Sequence, residues 1–121
     1  MHYVSREEAD PIMSAIELDA KLATYKRRML VYLSGKYRDV DEHSVDCNIQ
    51  HAKRVAADLW KMGYAVICPH ANSQHMGFKD DGGCFLEGDM AMVERSDLLV
   101  MLPNWESSEG AQLERRLAMT R

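Results

Sequence analysis

The chain has 121 residues, 46% of them hydrophobic and 28% charged, with a formal net charge of −4, the balance of a single globular domain. That charge gives no electrostatic reason to bind nucleic acid, and Lys26-Arg27-Arg28 is too short a basic cluster to supply one. No apolar run approaches the ~20 residues of a membrane span, MHYVSREEAD contains no signal-peptide core, and Cys47, Cys68 and Cys84 are odd in number without C-x-x-C spacing, so a cytoplasmic protein with reduced thiols and no membrane partner is expected.

Residues 10 to 28 read as a helix, with Pro11 near its start and Ile12, Ile16, Leu18, Leu22 and Tyr25 at roughly helical spacing. Met29 to Ser34 is a continuous apolar run that stops at Gly35, the pattern of a strand buried on both faces. After a polar stretch from Lys36 to Ser44, Asp46 is placed to cap a helix whose apolar residues are Ile49, Ala52, Val55, Ala56, Leu59 and Trp60. Gly63 is placed to end it. Tyr64 to Cys68 is the second strand, closed by Pro69, and residues 70 to 84 read as a long loop. A third helix is predicted over 85 to 95, a third strand over Leu98 to Leu102, a loop over Asn104 to Gly110, and a last helix from Gly110 or Ala111. The alternation predicts a three-layer α/β fold of Rossmann-like or flavodoxin-like type, a parallel sheet with flanking helices, over residues 29–121. Residues 1–28 fall outside that alternation and read as a helical appendage for packing or assembly.

In an open parallel sheet ligands bind outside the carboxyl ends of the strands. The loop Asn104-Trp105-Glu106-Ser107-Ser108-Glu109-Gly110 belongs there, and a Ser-rich loop entering a helix N-terminus is suited to anions. Three acids flank it: Asp89, Asp97 and Glu114. Asp97, at the mouth of a strand, reads better as a structural connection than as a catalyst. Glu114 stands four residues after Gly110, so it faces the loop one turn away; it suits either catalysis or simple pairing with the helix dipole.

The first strand-to-loop turn, YLSGKYR, is read in two ways. Gly35 lets backbone approach a ligand while Tyr32 and Arg38 contact a base or phosphate, or the segment is an ordinary turn with a solvated cation. It is not G-x-G-x-x-G, so a dinucleotide fingerprint is absent. His70 and Asn72 follow the second strand and suit a polar pocket wall. His70, His75, Asp80 and Asp81 match no standard zinc spacing, and no metal is expected. Asp80 to Gly83 reads as a turn.

Taken in order, the strand-turn YLSGKYR, the pair Asp89 and Asp97 separated by seven residues, and Gly110-x3-Glu114 followed by Ala118 resemble the nucleoside 2-deoxyribosyltransferase superfamily over about residues 29 to 118. Within it, the chain is more similar to the uncharacterised phage and bacterial members and to the deoxynucleoside 5′-monophosphate N-glycosidases than to the transferases. The resemblance implies Glu114 as nucleophile, Asp89 as the acid that handles the leaving base, and Tyr32 as the residue that positions nucleophile and sugar. Gly35, Lys36 and Arg38 fall on the family's first-turn phosphate and sugar contacts. The transferases carry an aspartate six residues before the nucleophile; here that position is Ser108, as in the monophosphate-specific glycosidases. A neutral donor there suits a phosphate that an aspartate would repel. With the Gly110 backbone, and with His70, Asn72 and Trp105 as base-pocket contacts, the expected activity is hydrolysis of the base–sugar bond of a nucleoside 5′-monophosphate. Base exchange between nucleosides and a non-catalytic nucleotide-sensing module are the alternatives. No cofactor is implied, and a homodimer or higher homo-oligomer is expected because the superfamily completes its sites across subunits.

Overall fold

The computed structural model describes residues 13–72 and 83–121. Three strands form one parallel sheet, β1 (Leu30–Ser34), β2 (Ala65–Ile67) and β3 (Leu98–Met101), in the order β2-β1-β3. Leu30 registers with Ala65 on one side of the sheet, and Val31 to Ser34 register with Leu98 to Met101 on the other. β1 is therefore central, which is why its run from Val31 to Ser34 is buried.

The alternation of side chains along a strand assigns the two faces of β1. Leu33 joins Ala52 and Ala56 of α2 (Glu42–Lys61) and Leu102 in the main apolar cluster, with Val55, Leu59, Val66 and Val100 packed against it. Tyr32 and Ser34 point the other way, to α5 (Glu109–Met119). With α4 (Cys84–Arg95) packed beside α5, the result is a Rossmann-like arrangement of helix, sheet and helix layers.

The boundaries depart from the sequence expectations in three places. Asp41, not Asp46, caps α2: its Oδ1 accepts from Ser44 N at 2.7 Å, and Asp46 lies inside the helix. Val45 stands one turn before Ile49, so the apolar stripe starts earlier than the residues first counted. Part of the predicted loop is ordered as helix. Pro69 opens the short α3 (Pro69–Asn72), a position its fixed φ and missing N–H favour, and Cys84 already belongs to α4. His75, Asp80 and Asp81 lie outside the described residues. The first helix, α1 (Ala15–Ala23), is capped by Ser14 and stops at Thr24, short of Arg28. It buries none of its residues, so no packing face extends it beyond its caps. Gly63 ends α2 as expected: its φ of 99° is the left-handed conformation that follows a C-cap.

Candidate functional site

β1 and α5 bring together Tyr32, Ser34 and Glu114. Ser108 caps α5, its Oγ accepting from Ala111 N at 3.2 Å, and the helix then turns Glu114 inward onto the sheet. Glu114 is only 5% exposed. Its Oε2 accepts from the Tyr32 hydroxyl and its Oε1 from Ser34 Oγ at 2.8 Å. Both donors are fully buried.

The electrostatics follow from that burial. Loss of water raises the Glu114 carboxyl above the usual carboxylate range, and the hydrogen bonds from Tyr32 and Ser34 oppose the rise without cancelling it. The Tyr32 phenol is pushed far upward, first by burial and then by the charge and hydrogen bond of Glu114, with the charge of Asp89 adding to the push. Tyr32 is therefore a fixed proton-bearing donor and never the acid of the pair. Asp89 sits half-buried on α4, near enough for its charge to act on Tyr32. Chemically, this is a shielded carboxylate with each oxygen held by a different hydroxyl and a second acid nearby.

The first turn is held by polar contacts on both sides. Lys36 N donates to Asn104 Oδ1 at 3.2 Å, and Lys36 O accepts from His70 Nε2 at 2.8 Å. His70 is buried, its Nδ1 has no hydrogen-bond partner among the described residues, burial lowers its pKa, and its Nε2 carries the proton donated to the Lys36 carbonyl. Lys36 Nζ lies 3.6 Å from Asp39 Oδ2. Asn48 of α2 donates to Tyr37 O and to Asp39 Oδ2, and accepts from Asn104 Nδ2 at 3.5 Å. Gly35 has a packing reason to be glycine, because a Cβ there would meet Leu102 Cδ1 at 2.5 Å.

The other expected site residues are placed differently. Trp105 lies in a 3-10 turn (Trp105–Ser107), with the Arg115 guanidinium 4.9 Å from its ring centroid. Arg38 is exposed and makes no hydrogen bond or ion pair with the described residues. Asn72 is exposed and lines an open, mainly apolar cleft of about 510 Å³ along β2, walled by Trp60, Val66, Ile67, Cys68 and Met92. Gly110 sits in the first turn of α5, where an added Cβ would meet only ordinary contacts, 3.8 Å from Leu86 and 3.9 Å from Ser108.

Asp97 is removed from the site. It precedes β3 at the amino end of the sheet, where its Oδ2 accepts from Leu30 N at 2.7 Å and its own N–H donates to Leu30 O at 2.8 Å. Sequence reasoning missed Ser34, Asn48 and Asn104. The signal for Ser34 was available, because the two-residue period puts it on the same face as Tyr32. Asn48 and Asn104 lie 56 positions apart and carried no local signal.

A protein-family model described as a domain of unknown function (DUF4406) matches residues 29–121. No curated protein and no solved structure matches the chain.

Proposed function

The chain belongs to the DUF4406 family, and we propose that it is an N-glycosidase that hydrolyses the base–sugar bond of a nucleoside 5′-monophosphate. The observation that carries this reading is the buried Glu114 carboxyl held by Tyr32 and Ser34 beside the carboxyl end of β1. A carboxylate with fixed orientation and little water around it suits attack on an anomeric carbon. Glu114 forms a glycosyl ester as the base departs. Asp89 protonates the leaving base and then takes a proton from the water that cleaves the ester, as in retaining glycosidases.

The 5′-phosphate is assigned to the first turn of α5 and to the Lys36 and Arg38 side of the first loop. Among the described residues Ser108 donates no hydrogen bond that a phosphate would have to displace; its Oγ accepts from Ala111 N, which leaves its own proton to face an anion. The resemblance of YLSGKYR, Asp89 and Gly110-x3-Glu114 to the deoxyribosyltransferase superfamily supports the same substrate class. The reading includes a homo-oligomer, most simply a dimer: α1 exposes Ile16, Leu18 and Leu22, which a second copy would cover. Light scattering at micromolar concentration tests that part, and the mass of one 13.8 kDa chain would remove it.

The deciding experiment is incubation with a panel of nucleoside monophosphates and the corresponding nucleosides, with free base followed by chromatography. Release of base from monophosphates without added acceptor is expected. Release only when a second base is added points instead to base exchange, and tight nucleotide binding without release points to a sensing module. Ser108→Asp is expected to move the kcat/KM preference from monophosphates toward nucleosides; an unchanged ratio removes the phosphate from this loop.

A further inference from the structure

The two oxygens of Glu114 are held by donors of different character. Tyr32 belongs to a fully buried ring in the central strand, and its hydroxyl hydrogen prefers the ring plane, so its aim at Oε2 is fixed by packing. Ser34 has a fixed backbone and a free hydroxyl. Its carbonyl accepts from Leu102 N at 2.7 Å, and the next residue, Gly35, is pressed against the Leu102 side chain, so the strand cannot shift there. The serine O–H nevertheless rotates among staggered positions and exchanges acceptors easily.

Resting on the N-glycosidase reading, we propose that Oε1, the oxygen held by Ser34, is the atom of Glu114 that attacks, and that Ser34 is the positioning residue that presents and then releases it. An ester oxygen is a poorer acceptor than a carboxylate oxygen. If Oε2 formed the ester, the buried Tyr32 hydroxyl would lose its acceptor with no freedom to find another, the costly case for a buried donor. With attack by Oε1, Oε2 becomes the ester carbonyl and keeps its bond from Tyr32, while the Ser34 hydroxyl turns to an oxygen of the sugar that is now bonded at Oε1, an acceptor within reach of its rotation. Position agrees: alternate side chains on one face of a strand are about 7 Å apart, and Ser34 is the one nearer the carboxyl end of β1, where ligands of such sheets bind.

The steps balance. A lone pair on Oε1 forms the bond to the anomeric carbon, and the carbon–nitrogen pair leaves with the base, which takes a proton from Asp89. Water then bonds to the same carbon, the carbon–Oε1 pair returns to Glu114, and the water proton passes to Asp89. Glu114 ends as it began.

The test compares the wild type with Ser34→Ala, Ser34→Cys, Ser34→Thr and Tyr32→Phe, following base release from nucleoside monophosphates in the steady state across pH, with folding checked by circular dichroism. Tyr32→Phe is expected to lower kcat on the order of 100-fold with KM within a few-fold, because the ester carbonyl loses its fixed donor. Ser34→Ala is expected to lower kcat only about tenfold and to move the acid limb of kcat/KM upward, since one donor favouring the carboxylate is gone. Ser34→Cys, which nearly keeps the volume but donates weakly, should follow alanine, and Ser34→Thr should return the acid limb toward wild type. A larger kcat loss in Ser34→Ala than in Tyr32→Phe overturns the oxygen assignment, as does an acid limb that none of the Ser34 variants moves, while leaving the glycosidase reading intact. Wild-type protein that releases no base from any monophosphate overturns both.

Discussion

At the amino end of β1, Asp97 lies exposed and its carboxylate accepts a backbone N–H from Leu30, while its own N–H donates back to the Leu30 carbonyl. On the α5 face of the same strand, Glu114 is buried, and its carboxylate accepts two side-chain hydroxyls from Tyr32 and Ser34. The two acids differ by one methylene, yet their settings are opposite. A backbone donor is covalently part of the strand, so the Asp97 contacts lock the start of β3 beside β1. Hydroxyl donors can turn, and burial strips the Glu114 carboxylate of competing water, which leaves a group that is oriented but not neutralised. Within one sheet, the type of donor and the depth of burial separate a carboxylate that ties two strands together from the one proposed as nucleophile.

The sharpest way to break that comparison is to remove each acid in turn. Glu114→Ala is expected to abolish base release while leaving nucleotide binding within a few-fold, a rise in the barrier on the order of several kcal/mol. Turnover at the wild-type rate would end its assignment as nucleophile. The next largest effect concerns the strand that carries both contacts. Gly35→Ala forces a Cβ into Leu102 and is expected to destabilise the fold by about 1–3 kcal/mol, read from the urea midpoint; an unchanged midpoint would show that Leu102 yields easily. Asp97→Ala should cost about 1 kcal/mol of stability, the scale of one hydrogen bond, with kcat/KM unchanged. A large loss of turnover at full folding would place Asp97 back among the functional residues.

The smallest effects are in pH dependence, and their signs sharpen the contrast. The folded-state pKa of Glu114 is raised, so the folded chain holds that proton more tightly than the unfolded chain. Its contribution favours folding below the ordinary carboxylate range and is lost as pH rises through the folded value. Glu114→Gln should therefore raise the melting temperature at neutral pH, and an unchanged or lower value would contradict a desolvated carboxylate. His70 has the opposite sign. Its folded pKa is lowered from 6.5, so its contribution is present above 6.5 and lost as pH falls through the folded value. His70→Ala should flatten the loss of stability on the acid side of 6.5, and a melting curve as pH-dependent as wild type would exclude the buried ring as its source.

Much of the frame was legible because it is written in local patterns. β1 announced itself as an apolar run ended by glycine, and α2 through Ile49, Ala52 and Ala56 on one stripe. The cap of α2 was misplaced because Asp41 and Asp46 both precede apolar residues, and only the bond from Ser44 N to Asp41 Oδ1 separates them. The helical turn at Pro69–Asn72 was lost inside a polar loop because four residues carry no period. At the candidate site, Glu114, Tyr32 and Asp89 were singled out through the resemblance carried by their motifs, and the fold brings Tyr32 against Glu114, whereas Ser34 was passed over as part of a strand.

What the sequence determined by itself is therefore the set of periodic elements and their order, since side-chain period, capping chemistry and glycine conformation act within a few residues. Only the tertiary structure decided which carboxylate became buried and held by side-chain hydroxyls. Tyr32 and Glu114 are separated by 82 positions, Leu30 and Asp97 by 67. Burial and donor geometry at such separations arise from the packing of α5 on one face of β1 and the pairing of β3 along its edge. Nothing local in the residues marks Glu114 as shielded and Asp97 as exposed; the sheet does, by offering hydroxyls on one face and a backbone N–H at its amino end.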